Sequence, residues 1–260
     1  RTRSRTRIRL QRSDRLRAAK PPHSFLFEQC SRVSSVRIGE HPQKESMQAV
    51  IFDMDGLIVD SEPLWRLAER STFAEVGLEL TDADCERTMG MRSDEVIRFW
   101  FDEFPWTGRS LTEVEERLEN RVRELIAERA TVMPGVEQAM AMARAEGLLL
   151  GLASSSSPTL IDAVLAKLEL KDHFSAVRSA VDEDHGKPHP AVFLSAAAML
   201  GVDPADCIAI EDSLAGIRSA RDAGMRVVAV PPTHLWDDPD YDIADFKLGS
   251  LEELSQEMLR

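Results

Sequence analysis

The sequence has few cysteines and no long apolar run. Its three cysteines, Cys30, Cys85 and Cys207, are widely separated and form no CxxC pair. This spacing argues against a disulfide framework and against a zinc site, and it is typical of a reducing compartment. No apolar stretch approaches the roughly 20 residues that cross a bilayer. We therefore predict a cytoplasmic protein without a transmembrane segment.

Negative charge dominates most of the chain. Residues 1–46 hold twelve basic and four acidic residues, a balance of +8, whereas residues 47–260 hold 20 basic and 41 acidic residues, a balance of −21. Such an acidic surface repels nucleic acid and anionic membranes, so we expect neither as a partner. An anionic substrate would need a local positive site.

The opening segment is rich in Arg and Ser and shows no helical or alternating period, which predicts a basic disordered extension over residues 1–46. Its composition is consistent with a transit peptide, a nucleic-acid-binding arm, or translated sequence upstream of the natural start. We favour upstream translation because Met47 stands immediately before the first predicted strand.

Short apolar segments alternate with helical patterns after Met47. Strands are predicted at AVIF (49–52), LLLGLA (148–153), 176–180, CIAI (207–210), RVVAV (226–230) and 246–248. Strands that are apolar throughout and alternate with helices are typical of a parallel sheet with helices on both faces. The predicted fold is therefore α/β, with a Rossmann-like parallel-sheet core formed by residues 47–61 and 134–260.

The segment between the first two strands, residues 62–133, has helical patterning throughout. Ser61 is the predicted cap of its first helix, and Ser110 with Glu113 predicts a capping box at the start of another. A last helix is predicted to begin at Ser250. The chain thus has an all-helical insert after its first strand.

Two of the predicted strands end in carboxylates. Asp53 and Asp55 follow the first strand, and Glu211 and Asp212 follow CIAI. Ligands bind at the carboxyl ends of such strands, so these acids are expected to meet. Because neighbouring carboxylates repel one another, a hard cation with oxygen ligands should lie among them. Acidic helix caps would explain one cluster but not both, and the sequence therefore predicts a magnesium site.

Two further loops offer groups that bind anions. Ser154–Ser157 lie between LLLGLA and a helix start at Pro158, where hydroxyls and backbone N–H groups can hold an anion. Lys187 lies between Gly186 and Pro188 and can hold a fixed positive charge. Taken singly, the serines also fit a capped helix start, and the lysine also fits a solvated surface residue.

Four motifs together resemble a known family. DMDGLIVDS, LASSSS, GKPHP and IEDS resemble the four ordered motifs of the haloacid dehalogenase superfamily, over essentially all of residues 47–260. The insert, residues 62–133, resembles the helical cap domain of its β-phosphoglucomutase-like branch. More narrowly, DSEPLW, FWFDEFPW and GLASSSS are similar to the group of hexitol phosphatase B and 2-deoxyglucose-6-phosphate phosphatase.

The resemblance implies a phosphatase mechanism and assigns a role to each motif. Asp53 would attack phosphorus and form an aspartyl-phosphate intermediate. Asp55 would act as acid toward the leaving oxygen and then as base toward water. Ser154 and the backbone N–H of Ser155 would bind the phosphoryl oxygens, and Lys187 would balance their charge.

The resemblance also implies the ligands of Mg²⁺. These are the Asp53 side chain, the backbone carbonyl of Asp55, and Asp212, with Glu211 acting directly or through water. The expected substrates are small sugar or polyol phosphates, such as hexose 6-phosphate, 2-deoxyglucose 6-phosphate and hexitol phosphates. A monomer suffices for this chemistry.

Other chemistries of the superfamily are separated by particular residues. Dehalogenases do not rely on an acid/base Asp two positions after the nucleophile, so Asp55 argues against them. Phosphonatases use a cap lysine, and residues 62–133 contain no lysine. A β-phosphoglucomutase-type phosphoryl transfer remains the alternative. A non-catalytic binding protein would be signalled by the loss of Asp53 or Lys187, and both are present.

Specificity is expected to depend on the insert. Arg92 in MGMRS is a candidate substrate contact, although a surface arginine at a helix start would look the same. Trp65, Trp100 and Trp106 are candidates to line a sugar pocket, and we expect at least two of them to belong to the hydrophobic core of the insert.

Overall fold

The computed structural model of the protein describes residues 46–260. The extension predicted for residues 1–46 lies outside this part except for its last residue, and so does Cys30. Along the described residues, no helix combines the length and the apolar character that crossing a membrane requires.

The described residues contain a six-stranded parallel sheet with the order β3-β2-β1-β4-β5-β6. Its strands are β1 Ala49–Phe52, β2 Leu149–Ser154, β3 Ala176–Ser179, β4 Cys207–Glu211, β5 Arg226–Ala229 and β6 Phe246–Lys247. β1 lies between β2 and β4, and its Phe52 is paired with Leu152 and Ile210. The predicted α/β fold with a parallel sheet is confirmed.

Helices cover both faces of this sheet. Val50 and Phe52 belong to one apolar cluster, and the alternate residues Ala49 and Ile51 belong to another on the opposite face. A strand buried on both sides must be apolar throughout, which is why AVIF shows no alternation with polar residues. The first cluster includes residues of α5 Val136–Ala145 and α6 Pro158–Lys167, and the second includes residues of α7 Ala191–Leu200 and α8 Leu214–Asp222.

Four helices occupy the insert between β1 and α5. They are α1 Glu62–Ala74, α2 Asp82–Glu86, α3 Ser93–Glu103 and α4 Leu111–Arg129. The ring of Phe73 packs edge to face against Trp100 and Trp106, with centroids 6.4 and 5.9 Å away. At the start of α4, Ser110 and Glu113 form the predicted capping box. Trp100 and Trp106 thus belong to the hydrophobic core of the insert, as expected for two of its three tryptophans.

The two connections between the insert and the core run side by side. The backbone N–H of Asp60 donates to the Thr131 carbonyl at 2.9 Å, and that of Met133 donates to the Ile58 carbonyl at 2.9 Å. An antiparallel bridge joins Val59 to Val132. The insert therefore leaves and rejoins the core through a two-strand connection.

Two local predictions are wrong. Ser61 precedes α1 but makes no side-chain cap, because its hydroxyl instead donates to Asp55 Oδ1 at 2.7 Å. The helix predicted from Ser250 is a single 3₁₀ turn, Leu251–Glu253. Leu251 and Leu254 are buried in the core, and one turn between them is enough to place both side chains inward.

Candidate active site

Three neighbouring strands bring the predicted site residues to one edge of the sheet. Asp53 directly follows β1, Ser154 ends β2, and Glu211 ends β4. Asp53 remains tied to the neighbouring strand, because its backbone N–H donates to the Ile210 carbonyl at 2.9 Å. Parallel strands place their carboxyl ends at the same edge, so groups far apart in the sequence meet here.

Asp53, Glu211 and Asp212 form a buried carboxylate cluster at this edge. One oxygen of each lies within 4.8 Å of the other two. Burial raises the pKa of Asp53 well above its usual range, despite the opposing charge of Lys187. Burial, together with the negative charge of Glu211, does the same to the pKa of Asp212. The cluster therefore carries an electrostatic cost that a cation would relieve.

One oxygen of Asp212 has no partner among the described residues. Its Oδ2 is fully enclosed and accepts no hydrogen bond. Gly56, with φ at +75°, passes directly over it, and a Cβ at that position would lie 2.1 Å from Oδ2. A buried carboxylate oxygen left unpaired costs free energy, and a hard divalent cation would provide the partner. The donor set fits such an ion.

Lys187 supplies positive charge from inside the protein. Its Nζ donates to Asp53 Oδ1 at 2.5 Å, to Glu211 Oε1 at 2.6 Å and to the Ala153 carbonyl at 3.0 Å. The side chain is only 1% exposed. Burial alone would lower the pKa of Lys187, but the two carboxylates outweigh it and raise the pKa above its usual range. The lysine is therefore charged and fixed, not a solvated surface residue.

Glu211 is held on both of its oxygens. Oε1 accepts from Lys187, and Oε2 accepts from the backbone N–H of Ser213 at 2.9 Å and from its hydroxyl at 3.0 Å. Gly216 leaves room for this carboxylate, since a Cβ there would lie 1.6 Å from Oε1. Glu211 thus fixes Lys187, while Asp212 keeps the unpaired oxygen.

Asp55 lies two residues beyond Asp53 and receives hydrogen bonds on both oxygens. Oδ1 accepts from the hydroxyl of Ser61 at 2.7 Å and from the indole of Trp65 at 2.9 Å. Oδ2 accepts from the hydroxyl of Ser156 at 2.7 Å. Groups from β2 and from the insert therefore converge on this carboxylate.

The serine run divides into different roles. Ser154 is buried, and its Oγ accepts from the backbone N–H of Ser156 at 3.0 Å. Ser155 and Ser156 line the cavity beside Asp53. The hydroxyl of Ser155 donates to the Gly90 carbonyl at 2.7 Å, which ties the core to the insert. The sequence indicated Ser154 and Ser155 but missed Ser156, because only the fold shows that the hydroxyl of Ser156, as well as that of Ser154 at 3.5 Å, reaches Asp55 Oδ2.

The insert closes this cavity from above. The cavity has a volume of about 50 Å³, which is enough for only a few water molecules. Its lining combines the acidic edge of the core with a face of α1 and the loop around Gly90. The insert residues in this lining are Glu62, Trp65, Arg66, Glu69, Cys85, Thr88, Met89, Gly90, Met91 and Val96.

Arg92 points away from the cavity. Its guanidinium donates to the carbonyls of Ala180 at 3.1 Å and Glu183 at 3.0 Å, and to Asp94 at 3.0 Å. The structure therefore places Arg92 as a bridge between the insert and the core, outside the lining of the cavity, and its contact with substrate stays a prediction. Of the three tryptophans, Trp100 and Trp106 are buried in the hydrophobic core, and Trp65 lines the cavity.

Two charged residues of this lining, Arg66 and Glu69, were not predicted from the sequence. Both lie on α1 and share a face with Glu62, because residues separated by three or four positions are neighbours on a helix. Charged side chains at positions 62, 66 and 69 on a helix with a buried face are the signal that could have identified them.

A family model described as haloacid dehalogenase-like hydrolase matches residues 47–224. The chain is 43% identical over 208 residues to hexitol phosphatase B of Escherichia coli K12, covering 80% of this chain and 94% of that protein. It is 35% identical over 191 residues to β-phosphoglucomutase of Bacillus subtilis, covering 71% of this chain and 83% of that protein.

The fold is also found among solved structures. The crystal structure of CbbY from Rhodobacter sphaeroides in complex with phosphate superposes with a TM-score of 0.75 at 25% sequence identity. The similarity covers 82% of this chain and 99% of that one.

Proposed function

Because the chain belongs to the haloacid dehalogenase-like hydrolase family, we propose that it is a Mg²⁺-dependent phosphatase of small sugar or sugar-alcohol phosphates. The observation that carries this proposal is the buried carboxylate of Asp53, which lies among Lys187, Glu211 and Asp212. The 43% identity to hexitol phosphatase B supports hexitol and hexose phosphates as the substrate class.

Asp53 is the proposed nucleophile. Hydrolysis of a phosphate monoester in water is so slow that the enzyme must lower the barrier by about 20 kcal/mol or more. Attack by a carboxylate oxygen on phosphorus, with departure of the sugar oxygen, divides the reaction into two easier steps. Lys187, 2.5 Å from Asp53 Oδ1, holds this carboxylate in place. Water then cleaves the aspartyl-phosphate and restores Asp53.

Asp53 and Asp212 would hold the metal, with the backbone carbonyl of Asp55 and with Glu211. When bound, the ion neutralises the carboxylates and the phosphate, and so permits one anion to approach another. The unpaired Oδ2 of Asp212 supports this assignment. Gly56 supports it as well, because any side chain there would occupy the place of Oδ2.

Asp55 is the proposed acid and base. It donates a proton to the leaving sugar oxygen and later removes one from the attacking water. The hydrogen bonds from Ser61, Trp65 and Ser156 hold its carboxyl group toward the insert side of the cavity. A substrate whose sugar extends toward α1 would place its bridging oxygen on that side.

The phosphoryl oxygens are assigned to the loop after β2 and to Lys187. Ser154 and the backbone N–H of Ser155 lie at the end of β2, beside Asp53. The hydroxyl of Ser156 has a different role, because it donates to Asp55 and positions that carboxyl group. Donors fixed before the reaction stabilise developing negative charge without reorganising, and Lys187 adds a full positive charge.

Residues 62–133 are the proposed cap domain. A cavity of about 50 Å³ is too small for a hexose phosphate, so the insert must move to admit it. The paired connection through Asp60–Thr131 and Ile58–Met133 is the natural hinge. Closing brings Gly90 onto Ser155 and excludes bulk water from the first step.

The nucleophile is tested by Asp53→Asn, with turnover of p-nitrophenyl phosphate as the assay. Asparagine keeps the shape of the side chain but cannot attack phosphorus, so we expect activity to disappear while the protein stays folded. Asp184→Asn, an exposed acid near Lys187, is the matched control and should retain activity. Appreciable turnover by the Asp53 variant would refute the assignment.

A β-phosphoglucomutase-type transfer is the alternative, and it would require the cap to hold a second phosphate. Among the described residues that line the cavity, Arg66 alone carries a positive side chain, against five carboxylates. This balance favours hydrolysis. The alternative is tested by incubation with β-glucose 1-phosphate and a trace of the bisphosphate, since accumulation of glucose 6-phosphate would establish the mutase.

Two further proposals concern the location and the oligomeric state of the protein. Cys85 and Cys207 are buried and unpaired, which supports a cytoplasmic location. One chain supplies the carboxylates, the lysine and the serines, so a monomer is proposed to be sufficient.

A further inference from the structure

Glu69 is a buried acid that the proposed chemistry does not use. It lies on α1, is 6% exposed and lines the same cavity as Asp53. Its Oε2 is enclosed and has no hydrogen-bond partner among the described residues. The thiol of Cys85 lies beside the carboxyl group. A buried carboxylate oxygen without a partner is costly, so the cavity should contain a group that Oε2 binds.

The position of Glu69 is set by the geometry of α1. Trp65 contacts Asp55 through its indole, which marks the reacting end of the cavity. Glu69 lies four residues further along the same face, a distance of about 6 Å along the helix axis. Glu62 precedes Trp65 and lies at the Asp55 end. A ligand phosphate beside Asp53 would therefore direct the remote end of its carbon chain toward Glu69.

The charge of the cavity lining should discriminate between ligands that differ in charge at the end remote from the phosphate. The lining contains Asp53, Asp55, Glu62, Glu69 and Asp212, with Arg66 as the one positive side chain among its described residues. Lys187 pairs with Asp53, and the proposed metal would balance Asp53 and Asp212, whereas Glu62 and Glu69 share the single charge of Arg66. A second anionic group at this end would meet more negative than positive charge, because Arg66 faces two carboxyl groups.

We infer that Glu69 is a specificity-determining residue that hydrogen bonds a hydroxyl group at the end of the substrate remote from the phosphate, and that it disfavours a carboxylate or second phosphate there. The inference rests on the proposed phosphatase function and deepens it: the substrate class becomes monophosphates with a neutral polyol end.

The chemistry of the hydroxyl group explains this selection. Burial is the main cause that raises the pKa of Glu69 to about 7, although Cys85 and Arg66 oppose it. The group is therefore present both as carboxylate and as carboxylic acid near neutral pH. A hydroxyl can donate to the first form and accept from the second. A carboxylate ligand can only accept, so the ionised form of Glu69 repels it.

Two substrates that differ only at the remote end provide the test. Sorbitol 6-phosphate ends in a CH₂OH group, and 6-phosphogluconate ends in a carboxylate at the same position. We expect the wild-type enzyme to favour sorbitol 6-phosphate in kcat/KM, and Glu69→Gln to lower that preference about tenfold, mainly through KM. Gln has the same shape but no charge, and its amide can donate to a carboxylate. Glu116→Gln, an exposed acid on α4, should keep the wild-type preference.

Each result is decisive. Equal use of the two substrates by the wild-type enzyme would overturn the inference without any variant. An unchanged preference in a folded Glu69→Gln enzyme would also overturn it, while hydrolysis of either substrate would leave the phosphatase function intact. If the wild-type enzyme hydrolyses p-nitrophenyl phosphate but no sugar or polyol phosphate, the proposed substrate class fails, and the inference fails with it. If Glu69→Gln does not fold, Glu69→Asp provides the test, because it keeps the charge on a shorter side chain. This variant should still discriminate against 6-phosphogluconate, but its kcat/KM for sorbitol 6-phosphate should fall.

Discussion

Replacement of Lys187 by Met tests whether this buried cation holds the carboxylates of the core. Nζ contacts Asp53 at 2.5 Å and Glu211 at 2.6 Å, and the side chain is 1% exposed. Met retains an apolar stem to pack against Phe193, which lies beneath Nζ. Removing one partner of a buried ion pair costs about 3–5 kcal/mol, because the remaining charge is left uncompensated. We therefore expect Lys187→Met to lower Tm by about 10 °C or more at neutral pH.

The assay is thermal unfolding in the presence of a chelator, so that no metal ion replaces the lost charge. Adding Glu211→Gln to Lys187→Met removes one of the two carboxylates that lost their partner. The double variant should therefore be less destabilised than the sum of the two single changes, and the difference measures the coupling of the pair. Lys171→Met is the matched control, because the Lys171–Asp162 pair is exposed and its loss should leave Tm nearly unchanged.

The proposed role of Lys187 in balancing the carboxylate charge is refuted if Lys187→Met unfolds at nearly the same temperature as Lys171→Met. It is also refuted if the effects of Lys187→Met and Glu211→Gln are simply additive. Either result would mean that the carboxylate cluster does not depend on the lysine for its charge balance.

Three further predictions concern the acids and the glycine of the cavity. The pKa of Glu69 is raised from 4.5 to about 7 in the folded protein. Ionisation of Glu69 therefore lowers the free energy of unfolding as the pH rises from 4.5 to 7. Above pH 7 this loss reaches its maximum of about 3 kcal/mol. Glu69→Gln should therefore be more stable than wild type at pH 8 and similar at pH 4.5 in chemical denaturation, and an equal difference at both pH values would contradict this. Asp212→Asn should weaken the rise in Tm that Mg²⁺ produces in the wild-type protein, whereas an undiminished rise would exclude Asp212 as a ligand. Gly56→Ala should abolish both the Mg²⁺-dependent rise in Tm and the activity, because its Cβ would lie 2.1 Å from Asp212 Oδ2. Gly77→Ala is the control, because Gly77 has a similar φ of +84° but no atom within 4 Å of the added Cβ. This control should affect stability alone.

Much of the core could be predicted from local patterns. Apolar segments such as AVIF and CIAI are buried on both faces of the sheet, and that requirement removes polar residues from them. The carboxyl ends of parallel strands lie at one edge, so Asp53 and Glu211 were expected to meet once those strands were identified, and their oxygens do lie together. The capping box of Ser110 and Glu113 involves neighbours in the sequence and was equally accessible.

Other features depend on which elements pack together, and local sequence does not contain that information. Ser61 suits a helix cap, yet its hydroxyl donates to the carboxyl group of Asp55 instead. The packing of the insert on the core gives Arg92, the candidate substrate contact, the carbonyls of Ala180 and Glu183 as partners. Glu69 becomes notable only when the insert encloses it beside the acidic edge of the sheet.

Local sequence predicted the strands, most of the helices and the acids at the strand ends, because hydrophobic periodicity acts over short stretches of chain. The packed fold was needed to show which serines reach Asp55, what Arg92 binds and that Glu69 faces the cavity. Those choices depend on the direction of each side chain after helices and sheet have packed, and contacts between residues far apart in the chain set that direction.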